Sequence, residues 1–211
     1  MYFDYKEAVD YIAEIYKEAD KPTVQEITDL SGNIDFDPVI EDEIARLFRV
    51  LLKSVKPKRV LEIGLSIGFS TVHIAKAIKS FGGNLITLEI DEEIAKVAKK
   101  NLEHFEVADI VEMRFGDAQE LIKEFKSESF DVVFQDSSKR LYPVMFEECL
   151  RVLRKGGLFL IDDTLFPVMT AEDDWSASDK AIHRFNQLVA DGKLESTILP
   201  IGEGCTVAVK L

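Results

Sequence analysis

The sequence has few cysteines, few histidines and no long apolar run. Cys149 and Cys205 lie far apart without a CxxC spacing, and the chain has only three histidines, so neither a disulfide framework nor a zinc site is indicated. No apolar stretch approaches the roughly 20 residues that a membrane span needs. The first 20 residues are acidic and amphipathic, unlike a secretory signal. These absences favour a cytoplasmic protein that is neither exported nor embedded in a membrane.

Positive charge is also scarce. The 211 residues include 39 Asp and Glu against 26 Lys and Arg, which gives a formal net charge of −13. This charge disfavours binding to nucleic acids and anionic membranes unless a local basic patch overrides the average. Apolar residues make up 46% of the chain, enough for one sizeable core. We therefore expect residues 1–211 to form a single domain, with residues 1–55 as an amino-terminal helical extension.

The apolar residues are spaced first for helices and then for alternating strands and helices. Helical spacing over residues 9–16 and 40–52 predicts two helices, joined by a polar, turn-rich connection at residues 28–38. From Arg59 onward, five short apolar runs are each followed by an amphipathic segment. This alternation is typical of an α/β protein whose mostly parallel sheet carries helices on both faces. The last two runs, "LESTILP" and "CTVAVKL", are separated only by "IGEG" and predict a carboxy-terminal antiparallel hairpin.

Acids or glycines follow five successive predicted strands. In parallel sheets the carboxyl ends of the strands share one edge, and ligands bind there near the point where the strand order reverses. We therefore predict one crevice built from these strand ends: Glu62 with Gly64, Glu89, Gly116 with Asp117, Asp136, and Asp162 with Asp163.

The segment "LEIGLSIGFS" predicts a ligand-binding turn between the first strand and its helix. Gly64 and Gly68 allow backbone N–H groups to approach a ligand, and the Ser70 hydroxyl is expected to face it. Glu89, 21 residues beyond Gly68, stands where an acid typically binds a ribose. A tight turn with close helix packing is the alternative. The spacing differs from GxGxxG, so a nucleoside-bearing cofactor other than NAD is favoured.

A second group of polar residues combines acids with one lysine. Asp136 and Lys139 follow one predicted strand, and Asp162 and Asp163 follow the next. Acids after strands commonly cap the next helix, which is the alternative for Asp136 taken alone. Their convergence at neighbouring strand ends favours a metal or catalytic site.

Several separated blocks resemble one enzyme family. "VLEIGLSIGFSTVHIA", "ITLEIDEEIAKVAKKNLE", "GDAQELI", "FDVVFQDSSKRLYPVMFEECLRVLRKGGLFLIDDTLF" and "LPIGEGCTVAVK" together resemble the cation-dependent O-methyltransferases of the catechol and caffeoyl-CoA type. The similarity extends from about Ile40 to the end of the chain, in order and with matching spacing. It implies a Rossmann-like class I methyltransferase fold, S-adenosylmethionine as cofactor, a small hydroxylated acceptor and a homodimer.

The resemblance also assigns roles to residues. For the cofactor, it places Glu62, Gly64, Gly68 and Ser70 at the methionine end, Glu89 at the ribose hydroxyls, and Asp117 and Ala118, with Gln119 near, along the adenine. Asp136 belongs both to the cofactor site and to the metal site, which Asp162 and Asp163 complete, and Lys139 is the general base. Oxygen ligands without His or Cys select a hard cation, with Mg²⁺ first and Ca²⁺ or Mn²⁺ as alternatives.

Some positions depart from the family pattern. Asp163 stands where the family usually has Asn, Gln135 stands at a commonly apolar position, and Ser137 and Ser138 replace bulkier or acidic residues. The acceptor is therefore left open. A hydroxylated base of transfer RNA is one alternative to a phenol or catechol, although the acidic segment "TAEDDWSASD" disfavours RNA. A non-catalytic S-adenosylmethionine-binding protein is the other alternative.

Overall fold

The computed structural model describes residues 5–211, so the first four residues of the predicted extension lie outside it. In the described part of the chain, three α-helices precede the sheet: α1 (Tyr5–Tyr16), α2 (Val24–Ser31) and α3 (Asp42–Val55). The prediction of only two helices was therefore wrong. The start of α2 is fixed by a capping box, in which the Thr23 hydroxyl accepts from the Glu26 N–H while the Glu26 carboxylate accepts from the Thr23 N–H. The buried Ile27 side chain packs α2 against the core.

Within residues 5–211, seven strands form one sheet. They are β1 (Arg59–Ile63), β2 (Asn84–Glu89), β3 (Val111–Phe115), β4 (Phe130–Gln135), β5 (Leu153–Ile161), β6 (Leu194–Leu199) and β7 (Cys205–Lys210). Their order is β3-β2-β1-β4-β5-β7-β6; β1 to β5 run parallel, and β7 is antiparallel to both β5 and β6. The predicted parallel sheet with its terminal antiparallel hairpin is confirmed.

Among the described residues, five further α-helices connect the strands, and the longer ones cover both faces of the sheet. They are α4 (Phe69–Lys79), α5 (Glu92–His104), α6 (Ala118–Leu121), α7 (Tyr142–Val152) and α8 (Ala177–Val189). Successive residues of β1 enter different cores, because side chains alternate along a strand: Val60 packs with α3 and α4, and Leu61 packs with α7 and α8. The predicted arrangement with helices on both faces is therefore confirmed.

The boundary between α7 and β5 differs from the prediction. The amphipathic segment "PVMFEECLRVLRK" predicted a helix through Lys155. Instead α7 ends at Val152, and Leu153 already pairs with Phe130 of β4. Arg154 also joins this segment to β4, because its Nε donates to Asp131 Oδ1 over 2.7 Å. This contact favours the strand over a continued helix.

Two sequence observations concern membranes and thiols. Over residues 5–211, no helix has the length and apolar character needed to cross a membrane. Cys149 and Cys205 are buried free thiols on α7 and β7, and burial raises the pKa of both. Neither thiol is therefore ionised near neutral pH.

Candidate active site

The strand order reverses between β1 and β4, and the loops after these two strands touch. The Asp136 N–H donates to the Ile63 carbonyl over 2.9 Å, and the Gly64 N–H donates to the Leu88 carbonyl over 3.0 Å. Gly64 has φ +102°, and a Cβ there would collide with the carbonyl oxygen of Asp136. Glycine is thus required at this position for two reasons, its backbone conformation and the close approach of the two loops.

Glu62 lies beneath this contact and is fully buried. The Ser70 and Thr71 hydroxyls each donate to its carboxylate over 2.6 Å. Burial raises the pKa of Glu62 to about 7, although these hydrogen bonds favour the charged form. The Ser70 hydroxyl therefore faces Glu62, whereas the sequence analysis had it facing a ligand. The roles of Glu62 and Ser70 as cofactor contacts remain predictions. In this structure the hydrogen bond between them connects α4 to β1.

Glu89 lies at the end of β2 with both carboxylate oxygens fixed by backbone donors. One oxygen accepts from the N–H groups of Leu65 and Ser66, at 3.1 and 3.0 Å, and the other accepts from those of Ile90 and Asp91, at 2.8 and 2.9 Å. Four donors saturate a carboxylate's usual acceptor positions. Glu89 thus holds the loop after β1 to the loop after β2, directly beside the glycine turn.

The crevice continues past Glu89 to the end of β3. Asp117 caps α6, since its Oδ1 accepts from the Gln119 N–H over 2.8 Å, and Ala118 begins that helix. Two large apolar side chains flank this end, Ile90 at 72% and Phe115 at 49% exposure. An exposed apolar pair beside polar strand ends suits a planar, partly apolar ligand.

Asp136, Asp162 and Asp163 converge as predicted. One carboxylate oxygen of each lies within 4.8 Å of the others. Asp162 is only 2% exposed, and its buried Oδ1 has no hydrogen-bond partner. Asp163 is half-buried with φ +58°, a left-handed conformation that Asp and Asn adopt more readily than most residues. The tight turn after β5 therefore directs two successive carboxylates to the same point.

Lys139 pairs with this cluster. Its ammonium donates to Asp136 Oδ1 over 2.9 Å, pairs with Asp163 and lies 3.2 Å from the Tyr142 hydroxyl. Burial alone would lower the pKa of Lys139, but Tyr142, Asp136 and Asp163 together raise it above its ordinary value. Burial also raises the pKa of Asp136 and, more strongly, of Asp162. In this arrangement Lys139 is an ammonium, so a proton must leave before it can act as a base.

The structure adds residues that the sequence analysis did not identify. The carboxyl group of Glu203, in the β6–β7 turn, lies beside Asp163, and Glu41, which precedes α3, packs against Gly202 of the same turn. The Phe166 ring centre lies 5.9 Å from the Lys139 ammonium. Glu203 stands inside the quoted block "LPIGEGCTVAVK", whereas nothing in the local pattern distinguishes Glu41 or Phe166.

Three other polar or aromatic residues have structural roles. Gln135 is buried between Ser137 and Cys149, with its amide donating to the Ser137 hydroxyl over 3.0 Å. His73 is buried between Arg49 and the Pro22 carbonyl, at 2.9 and 2.8 Å. The Trp175 indole donates to the Pro167 carbonyl and packs against His183, so it anchors the loop after β5.

Comparison with known proteins identifies the class and the family. The protein-family model described as O-methyltransferase matches residues 10–211. A catechol O-methyltransferase of Niastella koreensis is 30% identical over 159 residues, covering 73% of this chain and 72% of the relative. A putative caffeoyl-CoA O-methyltransferase of Arabidopsis thaliana is 27% identical over 207 residues, covering 94% and 87%.

Among solved structures, an O-methyltransferase from Bacillus cereus in complex with SAH superposes with a TM-score of 0.82 at 24% identity, covering 95% of this chain and 97% of that one. The fold is thus that of the Rossmann-like methyltransferases. The chain belongs to the O-methyltransferase family, and the resemblance inferred from the sequence is confirmed.

Proposed function

We propose that the protein transfers a methyl group from S-adenosylmethionine to a hydroxyl of a small catechol-like or phenolic acceptor, with assistance from a divalent cation. The observation that carries the metal-dependent part is the unpartnered, buried Oδ1 of Asp162 beside two further carboxylates. A buried anionic oxygen without a partner is strongly unfavourable. A divalent cation held by Asp136, Asp162 and Asp163 would remove that cost.

The donor set fits a hard cation. All three side chains offer carboxylate oxygens, and the cluster has no His or Cys member. Mg²⁺ is the first choice, with Mn²⁺ and Ca²⁺ as alternatives. Asp163 is negative where the family usually has a neutral Asn, so three carboxylates would hold the ion and Lys139 would balance the remaining charge.

The crevice between β1 and β3 fits S-adenosylmethionine. Gly64 and Gly68, both with positive φ, belong to the turn that leads into the amino end of α4, where backbone N–H groups would face the methionine portion. The relatives' named activities and the SAH bound to the Bacillus cereus structure support this ligand for this chain. We assign the ribose to Glu89, because it ends β2 beside the glycine turn; the ribose hydroxyls would replace some of the four backbone donors that its carboxylate has in this structure.

The adenine end follows along β3. We assign the adenine to the segment of Asp117 and Ala118, with Ile90 and Phe115 as the apolar surfaces that it covers. Glu62 and Ser70 support the methionine end from below, through the hydrogen bond that joins them. Asp136 lies between the two halves, since its backbone contacts Gly64 and its side chain belongs to the acid cluster.

The chemistry requires an ionised acceptor hydroxyl, since a neutral phenol is a poor nucleophile near pH 7. When bound, the cation lowers the pKa of the acceptor hydroxyl and the sulfonium of the cofactor supplies the methyl electrophile. Lys139 would receive the hydroxyl proton after its own proton has passed to solvent, and a bound cation would favour that loss by repelling the ammonium. Asp136 and Asp163 hold its Nζ at the cluster, and the Phe166 ring forms one wall beside it. Positioning of this kind contributes strongly to a displacement that must be in line.

The remaining predictions belong to the same proposal. Residues 1–211 are one domain, with 1–55 as its helical extension, and the protein is a cytoplasmic homodimer. The helix α1 exposes Tyr11 and Ile15 at 68% and 57%, which is consistent with a second copy covering it. Light scattering at several protein concentrations tests the dimer.

Incubation with methyl-labelled S-adenosylmethionine and Mg²⁺ tests the function. The acceptor panel contains catechols, flavonoids, acyl-CoA phenols and transfer RNA, and Asp136→Asn serves as the matched variant without one metal-binding carboxylate. We expect label on a small hydroxylated acceptor with the unmodified protein only. Label on transfer RNA alone, falling as salt rises, would replace the small acceptor with RNA. Binding of S-adenosylhomocysteine without transfer to any acceptor would indicate a non-catalytic binding protein.

A further inference from the structure

We propose that Asn101 is a positioning residue that joins the glycine turn of the crevice to helix α2, so that docking of α2 and binding of the cofactor stabilise each other. The inference rests on the proposed function, because that function places the methionine portion of the cofactor at the turn of residues 64–68. It adds a role for α2, to which the proposed function assigns no part in binding.

Asn101 is a buried polar residue within α5, only 1% exposed. Its Nδ2 donates two hydrogen bonds of 2.9 Å, one to the Ile67 carbonyl in the glycine turn and one to the Ser31 hydroxyl at the end of α2. The neighbouring buried residues of α5, Ala98 and Leu102, are apolar and need no such partners. Because burying an amide is unfavourable unless it is hydrogen-bonded, the two contacts of Asn101 are what this position requires.

Both partners need a hydrogen-bond donor at residue 101. The Ser31 hydroxyl donates to the Ile27 carbonyl over 2.7 Å, so it acts as an acceptor toward Asn101. The Ile67 carbonyl precedes α4 and lies outside the hydrogen-bond ladder of that helix. The two hydrogens of one side-chain amide satisfy both acceptors together, whereas alanine, leucine or an ionised aspartate offers no donor. Asparagine therefore suits this position because it can connect the two segments.

The glycine turn is held at both ends by side chains of other segments. Glu89 holds its first half through the two backbone N–H groups described above, and Asn101 holds its second half through Ile67. Gly68, the residue before α4, has no side chain to cap that helix. A Cβ on Gly68 would lie 3.4 Å from the Ala98 Cβ, so α5 also packs closely against this half. The backbone N–H groups at the amino end of α4 are therefore positioned in part by α5 and Asn101.

The docking of α2 depends on a small set of contacts. Of its eight residues only Ile27 is buried, and at its start the Val24 N–H donates to Asp42 Oδ1 of α3 over 2.9 Å. At its end, Ser31 accepts the hydrogen bond from Asn101. One buried amide thus connects a lightly packed helix to the turn. Because a coupling free energy acts in both directions, a ligand that fixes the turn favours docked α2, and loss of this docking weakens ligand binding.

Calorimetric binding of S-adenosylhomocysteine to three variants tests the inference, at a temperature where circular dichroism shows each variant folded. Asn101→Ala removes both hydrogen bonds and should weaken binding about three- to tenfold. Ser31→Ala removes only the bond to α2 and should weaken binding by a smaller factor. The double variant should bind like Asn101→Ala alone, because Ser31 acts on the turn only through Asn101. Losses that multiply in the double variant would overturn the connection to α2.

Asn186→Ala is the matched control. Asn186 of α8 also donates from its Nδ2 to a loop carbonyl, that of Thr164, over 2.7 Å, but this loop follows β5 instead of β1. The control should lose a hydrogen bond of the same kind and keep the S-adenosylhomocysteine affinity of the unmodified protein. Equal affinities of Asn101→Ala and Asn186→Ala would reduce Asn101 to a structural role and overturn the inference.

Hydrogen exchange separates the inference from the proposed function. In the unmodified protein, S-adenosylhomocysteine should slow the exchange of the α2 amides as well as those of residues 64–70, and Asn101→Ala should lose the protection of α2. Absence of that protection in the unmodified protein would overturn the coupling. If the unmodified protein binds no S-adenosylhomocysteine, the cofactor assignment fails, and exchange without ligand decides whether Asn101 joins the two segments. Faster exchange of both α2 and the turn in Asn101→Ala than in Asn186→Ala supports this connection, and unchanged exchange in either segment overturns it.

Discussion

The titration of Glu62 makes the stability of the folded protein depend on pH. The side chain is fully buried, and burial raises its pKa from the ordinary 4.5 to about 7 although two hydroxyls donate to it. A carboxyl group whose pKa is higher in the folded protein binds its proton more tightly there than in the unfolded chain. The free energy of unfolding therefore falls as pH rises from about 4.5 to about 7. Below about pH 4.5 Glu62 is protonated in both states, so its stabilising contribution is fully present and no longer changes with pH.

The magnitude follows from the two pKa values. Their difference corresponds to about 3 kcal/mol of stability lost once Glu62 is ionised in both states. Glu62→Gln keeps the shape and removes the titration. Between pH 5 and pH 8, the free energy of unfolding of the unmodified protein should therefore fall by about 2–3 kcal/mol more than that of the variant.

Urea denaturation followed by circular dichroism at pH 5, 6, 7 and 8 measures this difference, without cofactor or metal. Glu195→Gln, an exposed substitution of the same kind, should follow the unmodified protein at every pH. If the free energy of unfolding changes with pH in the same way for the unmodified protein and for Glu62→Gln, Glu62 does not have the raised pKa that its buried position predicts. A variant that is less stable at all four pH values, with an unchanged slope, would indicate a lost hydrogen bond without the titration.

The remaining predictions concern the crevice itself. Glu89→Ala should weaken S-adenosylhomocysteine binding by about 1–3 kcal/mol in calorimetry, compared with Glu92→Ala in the first turn of α5, and equal affinities would refute the ribose assignment. Chelation should abolish methyl transfer and Mg²⁺ or Mn²⁺ should restore it, while Asp136→Ala should stay inactive but folded; full turnover in excess chelator would refute the metal assignment. Lys139→Ala should lower kcat by about 100-fold or more with little change in cofactor affinity. Lys139→Arg should not restore turnover, because arginine stays protonated, and normal activity of that variant would reduce Lys139 to an electrostatic role.

The architecture could be predicted because the sequence patterns that mark its strands and helices are local. Each parallel strand is a short apolar run followed by an amphipathic helix, so the order and type of these elements could be inferred without long-range information. The helix α2 escaped the prediction because it has only eight residues and buries only Ile27, so few apolar positions mark it in the sequence. Its capping box at Thr23 and Glu26 was the available signal. At the end of α7 the prediction failed for a different reason, since the pairing of Leu153 with Phe130 depends on a strand more than 20 residues away.

The sequence predicted which residues lie at the candidate site better than it predicted the hydrogen bonds that their side chains make. The acids after β4 and β5 converge because parallel strands end at one edge, which the sequence analysis could use directly. The direction of a side chain is decided by its neighbours, so the hydrogen bond from Ser70 to Glu62 could not be foreseen. Glu41 and Glu203 reach the cluster from distant segments that meet only in the folded chain.

Asp163 shows how a backbone requirement and a charge requirement meet at one residue. Its φ of +58° restricts the position to residues that tolerate the left-handed region, of which Asp, Asn and Gly are the most common. Asp and Asn satisfy the turn equally well and differ mainly in charge. With Asp, the carboxylate pairs with Lys139 and lies beside Glu203, so it holds the ammonium at the cluster. Asn at this position would keep the turn but release Lys139 from one partner and lower the negative charge of the cluster. The choice of Asp therefore has its main consequence in the charge of the cluster and in its ion pair with Lys139.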